Sequence, residues 1–171
     1  MELDPLSART SALLGWDYYI AGRYDEAIEQ YRKASELDPT FPLIELGKVY
    51  ERKGMNEQAI REYLKEPIRS HRPDADVVAL KAAYAASGLK GYWQKQLELL
   101  KEKAKHTAVR PLELAELYAQ TGAKEQALEW LDKACERRDP RLIELKINPI
   151  FDSLHTDPRF RTLLRRVNLD H

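Results

Sequence analysis

Within the stretch YDEAIEQYRKASELDP, residues 24–39, the positions Tyr24, Ala27, Tyr31 and Ala34 lie three, four and three residues apart. That spacing puts them on one helical stripe, with charged residues on the other faces. A helix is therefore predicted from about Tyr24 to Leu37. Asp25 and Glu26 occupy its first turn, where the helix dipole favours anions. Asp38-Pro39 ends it, because a residue before proline avoids the helical region. Along the stripe an aromatic alternates with a small residue. Tyr31 fills a gap between helices, and Ala27 and Ala34 let a second helix backbone come close.

The same grammar recurs at a fixed interval. Leu14, Leu46, Leu80 and Leu114 are separated by 32, 34 and 34 residues. Tyr18, Tyr50, Tyr84 and Tyr118 keep those separations, as do Gly22, Gly54, Gly88 and Gly122. Three residue types in one register, four times over, mark an internal repeat. Each unit reads as two helices. The first carries Leu and Tyr four apart and stops at its glycine, which lacks the Cβ that would clash in a left-handed turn. The second begins two or three residues later.

This pattern resembles the tetratricopeptide repeat, a 34-residue helix-turn-helix unit. Leu14-Gly15, Tyr18, Gly22, Tyr24, Ala27, Tyr31, Ala34 and Pro39 carry the resemblance in the first unit. Leu46-Gly47, Tyr50, Gly54, Ala59 and Tyr63 carry it in the second, and Leu114, Ala115, Tyr118, Gly122, Ala127, Leu131 and Ala134 in the fourth. The third departs: Lys81 stands where a small residue is usual and Trp93 where alanine is usual, so its second helix is expected to pack at a shifted angle. The resemblance implies an all-α fold, a right-handed α-solenoid of about four such units plus a C-terminal capping helix. The expected division is 8–39, 40–73, 74–107 and 108–141, with 1–7 as the remnant of a preceding repeat and 142–171 as the cap. Pro67 is expected to kink or end its helix near Glu66, and the shorter first interval predicts a tight loop around Pro39–Pro42.

The ends read differently. Leu3-Asp4-Pro5 repeats the Leu-Asp-Pro at 37–39, so the start reads as the tail of an earlier repeat in a longer protein, or else as an ordinary N-terminal helix with a chance match. After Pro140 a short helix, a break at Pro149 and then a loop are predicted. Asp157 caps a last helix with Pro158 at its first position. Phe160, Leu163, Leu164 and Val167 form one face of that helix, which covers the last repeat as solenoids require. This tail is also similar to the end of the repeat regions attached to bacterial winged-helix regulators, adenylate cyclases and Ser/Thr kinases. That likeness implies a sensory or regulatory module of a larger signalling protein, acting by ligand binding or self-association.

Composition narrows the chemistry. Of 171 residues, 28 are Lys or Arg and 28 are Asp or Glu, so no net charge draws the chain to nucleic acid or anionic lipid. From residue 137 onward eight cations face five anions, a mild excess read as a solvated face rather than a nucleic-acid surface. No apolar run approaches the ~18 residues of a membrane span, and a soluble, cytoplasmic chain is the expectation. The histidines His71, His106, His155 and His171 lack metal-ligand spacing. Cys135 has no histidine near it in sequence and reads as an inert thiol. The glycines are isolated helix terminators rather than a phosphate loop. No catalytic residue, metal site or cofactor is assigned.

What remains is the surface such a fold creates, a concave groove lined by the first helix of each unit. By resemblance its residues are Arg9, Trp16, Tyr19, Lys48, Glu51, Arg52, Glu116 and Gln120, with Ala82 and Ala85 as a smooth floor. Trp16 and Tyr19 are large, rigid anchors, and Lys48 and Arg52, one turn apart, suit a peptide carboxylate. The competing reading packs Trp16 on a neighbouring helix and pairs the charges with one another. Ala12 and Trp16 stand where the chaperone-tail binders of this family place Lys and Asn, which argues against that clamp. The expected function is a non-enzymatic scaffold holding a peptide or protein segment, with pairing to a second copy through a truncated first edge as a further expectation.

Overall fold

The computed structural model describes residues 7–41, 43–65 and 72–169, whose regular elements are all helices, with no strand among them. They divide into two compact units, 1–82 and 83–171. In the first, α1 (Ala8–Ile20), α2 (Tyr24–Leu37), α3 (Ile44–Arg52) and α4 (Asn56–Tyr63) pack in sequence, α1 on α2, α2 on α3 and α3 on α4. The helix predicted over 24–37 is α2. At its end Asp38 is extended, its carboxylate accepts from the Thr40 amide at 2.9 Å and hydroxyl at 2.6 Å, and the Phe41 amide donates to its carbonyl. The tight loop is thus seen as far as Phe41, and Pro42 lies outside the described residues. So do Glu66 and Pro67; the described part of α4 stops at Tyr63 with Leu64 as its C-cap.

The two hairpins of this unit share one seam. A Cβ built on Gly15 would lie 3.0 Å from the Tyr31 ring, and one built on Gly47 only 2.5 Å from Cε1 of Tyr63. Each glycine therefore receives a tyrosine ring from the following helix with no room for a methyl group. Both rings are buried, as are Ala27, Ala34 and Ala59 beside them. The same period positions in the second unit hold Ala115 and Leu131, both buried in one core. The added methyl is offset by a smaller partner, which keeps the summed volume of the seam.

The turns repeat as closely. In three hairpins the residue after the glycine donates its amide to the carbonyl of the periodic tyrosine: Arg23 to Tyr18, Met55 to Tyr50 and Ala123 to Tyr118, at 2.8–2.9 Å. This is the six-to-one bond of the Schellman motif, which needs a left-handed residue. Gly22, Gly54 and Gly122 supply it with φ of 73°, 72° and 80°.

The third repeat is built differently. α5 (Asp74–Ala104) is interrupted at Ser87 (φ −145°) and Gly88 (φ 61°, ψ −152°), a backbone region open essentially to glycine alone. Beyond the break Gly91 lies against the Ala83 carbonyl oxygen. A straight helix would hold those residues about 12 Å apart, so the chain turns back sharply. Trp93 meets Tyr92 edge-on at 5.0 Å, and Tyr92 is buried with its hydroxyl accepting from Gln96 at 2.8 Å.

In the second unit α6 (Pro111–Gln120) packs on α7 (Lys124–Glu136), and α8 (Pro158–Arg166) packs on α7. Between α7 and α8 the chain forms two 3-10 helices, Pro140–Glu144 and Pro149–Leu154, the second against α6. The loop expected after Pro149 is therefore a helix. Leu142, Leu145, Asn148, Phe151 and Leu154 are all buried and lie three apart throughout, which is the 3-10 period. Asp139, Asn148 and Asp157, each followed by proline, accept from the amide two residues on and start the three elements. Phe160, Leu163 and Leu164 are buried on the α8 face predicted for them. Arg159 grips Glu125 with two bonds of 2.6 and 2.8 Å, and Arg166 pairs with Asp132. Both pairs are 34 residues apart and seven apart along each helix, so α8 runs parallel to α7, one repeat length further on. These exposed pairs set register and contribute little stability.

One periodic position behaves unlike its counterparts. Leu46, Leu80 and Leu114 are 4%, 0% and 1% exposed, whereas Leu14 is 44% exposed. No helix among the described residues covers that side of α1.

The seam yields a stability test. Gly47→Ala is expected to cost about 1–3 kcal/mol in urea unfolding through overpacking against Tyr63. Adding Tyr63→Leu, which copies the Ala115–Leu131 pairing, should show favourable coupling of about 1 kcal/mol in a double-mutant cycle.

Candidate functional site

α1 buries Ser11, Gly15 and Tyr19, one stripe at four-residue spacing, against α2. Trp16 lies beside that stripe and stays half-exposed. α3 buries Leu46, Gly47, Val49 and Tyr50, leaving Lys48 and Glu51 half-buried and Arg52 exposed on its flank. The fold brings these flanks together. Lys48 Nζ stands 5.8 Å from the centre of the Trp16 ring, a cation–π contact. Trp16 and Tyr19 tilt against each other at 5.4 Å, and Tyr24 lies 6.2 Å beyond Tyr19.

Tyr19 is only 2% exposed, so it supports the Trp16 ring from within rather than presenting a face of its own. Burial pushes its hydroxyl up to about 12, and a hydrogen bond to Arg52 pulls against that shift. Glu51 accepts from the Tyr63 hydroxyl at 2.7 Å. The charges on α3 are thus held by two tyrosines, one from each hairpin. Sequence spacing did not reveal Tyr63 as a partner, because its periodic role is to fill the Gly47 seam and its hydroxyl reaches Glu51 only once the hairpin closes.

The other candidate residues lie at these positions. Arg9 is exposed in the first turn of α1, and Ala82 and Ala85 are exposed on α5. Glu116 and Gln120 are on α6 in the second unit, half-buried, at the period positions of Lys48 and Arg52. Glu116 lies 4.0 Å from Arg141, whose Nε is 3.7 Å from Asp139. Sequence reading did not single out Arg141, which follows the Asp139-Pro140 cap and is aimed by it.

Elsewhere the chemistry is sparse. Burial raises the Cys135 thiol and keeps it protonated. His106 is exposed beside Glu102, and His155 stacks on Phe160 at 5.2 Å; His71 and His171 lie outside the described residues. Among the described residues no three His, Cys, Asp or Glu side chains are arranged to hold a metal ion, and no helix is long and apolar enough to cross a membrane.

The Tyr19 environment predicts a pH response. Its folded value lies above the ~10 of a free tyrosine, so the stabilisation is complete below pH ~10 and is lost as pH rises toward about 12. Burial raises Tyr31 in the same direction. Arg52→Ala should move Tyr19 higher still, since Arg52 favours its ionised form. Tyrosinate absorbance against pH, taken as a difference from Tyr19→Phe, reads both effects.

Residues 15–54 match the TPR repeat and residues 112–139 match the tetratricopeptide repeat in comparisons with known families. The first match runs from Gly15 within α1 through α3 and includes Trp16, Tyr19, Lys48, Glu51 and Arg52; the second falls on α6 and α7. No curated protein matches the chain. The likeness of the tail to signalling regulators has no counterpart in these matches. Both matches fall on helix-turn-helix pairs with the glycine turns described above, and these two segments are similar to tetratricopeptide repeats.

Proposed function

We propose that the chain is a non-catalytic interaction module that holds a peptide segment of a protein partner against α1 and α3. Tetratricopeptide repeats generally mediate protein–protein contacts and are typically non-catalytic. The observation that carries the finer reading is the half-exposed Trp16 ring beneath the Lys48 ammonium, next to an Arg52 held by Tyr19. An apolar ring with two cations one turn apart suits a segment that offers an apolar side chain and a carboxylate. Lys48 and Arg52 provide the attraction, and Tyr19 provides rigidity by limiting the arrangements that Trp16 and Arg52 sample. On α6 of the second unit Glu116 presents the opposite charge and Gln120 a neutral amide at the same period positions, so that surface by itself would favour a different ligand chemistry.

The proposed organisation is four repeats, 8–39, 40–73, 74–107 and 108–141, followed by a cap over 142–171. The parallel alignment of α8 with α7 one repeat length away supports the cap.

Affinity capture of partners from source cells, followed by mass spectrometry, tests the site. Trp16→Ala and Arg52→Glu should each reduce capture at least tenfold, the loss of roughly 1.4 kcal/mol or more expected for a central anchor, with circular dichroism unchanged. Undiminished capture by both variants would move the binding surface away from α1 and α3.

A further inference from the structure

α1 also exposes leucine away from its buried stripe, which a surface helix with one buried face does not require. Opposite its buried stripe of Ser11, Gly15 and Tyr19 runs a second row, Arg9, Leu13 and Asp17, again at four-residue spacing and all exposed. Leu13 is 45% exposed, and the neighbouring Leu14 is the one periodic leucine of four left open to solvent. Neither Arg9 nor Asp17 makes an ion pair among the described residues.

This row has a particular symmetry. Arg9 lies one turn before Leu13 and Asp17 one turn after it, so the charges are equal, opposite and equidistant from the leucine. A two-fold axis through Leu13, perpendicular to the helix, exchanges the positions of Arg9 and Asp17. Rows of i,i+4 residues are also the ridges by which helices most often pack, crossing at about 50°. Two copies of α1 placed antiparallel with these ridges side by side would set Arg9 of each against Asp17 of the other. The Leu13 and Leu14 side chains of both would be enclosed between them.

We propose that the outer face of α1 binds α1 of a second copy of this chain, making a symmetric dimer with Leu13 and Leu14 at its centre and two Arg9–Asp17 pairs at its rim. Self-complementarity is what an isologous contact requires. It is also what distinguishes a second copy from an unrelated partner, which would need complementary charge but not this mirror order. A helix of this length spans about 20 Å, so the contact is smaller than the ~800 Å² per partner of a standard interface. The dimer is accordingly a concentration-dependent equilibrium. This surface uses Leu13 and Asp17, which lie outside the proposed peptide site, and it assigns Arg9 to the dimer rather than to the peptide.

Sedimentation equilibrium of the intact chain over roughly 10–500 µM, the range suited to a contact of this size, reads the association directly. The expected result is a mass rising from 19.9 kDa toward twice that value. Leu13→Glu should leave a monomer throughout, with helicity retained. Arg9→Asp and Asp17→Arg should each weaken association about tenfold by opposing like charges, and the double variant should restore it to within about threefold. A monomer at every concentration, a dimer indifferent to Leu13→Glu, or single reversals that the double variant does not rescue would each overturn the proposal. None of these readouts depends on peptide capture, so either conclusion can fail without the other.

Discussion

The contact of a glycine on one helix with a tyrosine ring on the next sets the geometry from which the first unit follows. At Gly15–Tyr31 and Gly47–Tyr63 the ring sits where a side chain would otherwise begin. This closeness brings α1 onto α2 and α3 onto α4, and the alanines at 27, 34 and 59 allow the same approach nearby. The ring gains dispersion contacts along its full length, whereas a methyl group on the glycine would force the backbones apart. The second unit holds Ala115 and Leu131 at the same period positions, both buried in one core, so the summed volume is kept although the residues differ.

Helix spacing alone would leave the direction of each hairpin open. The turn closes it by giving the periodic tyrosine a second role: its carbonyl accepts the amide beyond the left-handed glycine. One residue thus contributes a side chain to the packing and a backbone acceptor to the turn, which fixes the spacing between that packing position and the glycine. The third repeat retains a left-handed glycine but differs in ψ, and there the chain folds back with Gly91 against Ala83 instead. The last segment solves a related problem by other means. Three Asx-Pro caps restart the chain every nine residues, and side-chain pairs one repeat length apart align α8 with α7.

The proposed binding chemistry rests on how the polar groups of α1 and α3 are restrained. Arg52 and Glu51 are adjacent on α3, and each is engaged by a tyrosine from a different hairpin. Lys48 is left over the Trp16 ring, half-exposed. At the proposed site a partner would meet a surface whose rotamers are already narrowed, which lowers the entropic cost of association. Burial makes this possible and also raises the Tyr19 hydroxyl, coupling site geometry to alkaline pH.

Much of this was readable from residue order, because the forces involved act over one or two turns. Periodic leucine, tyrosine and glycine marked the hairpins, the α2 stripe and its Asp38-Pro39 stop set that helix to the residue, and Asp157-Pro158 marked the start of α8. The three-residue period from Leu142 to Leu154 was also present in the order of residues, but it is a pattern too rare to outweigh the loop that Pro149 suggests. Other features were decided only in three dimensions. Tyr19 is buried although its position by resemblance suggested an open anchor; Glu51 found Tyr63, twelve residues away; and Leu14 stayed exposed while its three counterparts were enclosed. Periodicity specifies which side of a helix is apolar, through geometry every helix shares. Whether that side is covered, and which polar groups meet, depends on what lies across from it, and that is a property of the packed chain rather than of any one segment.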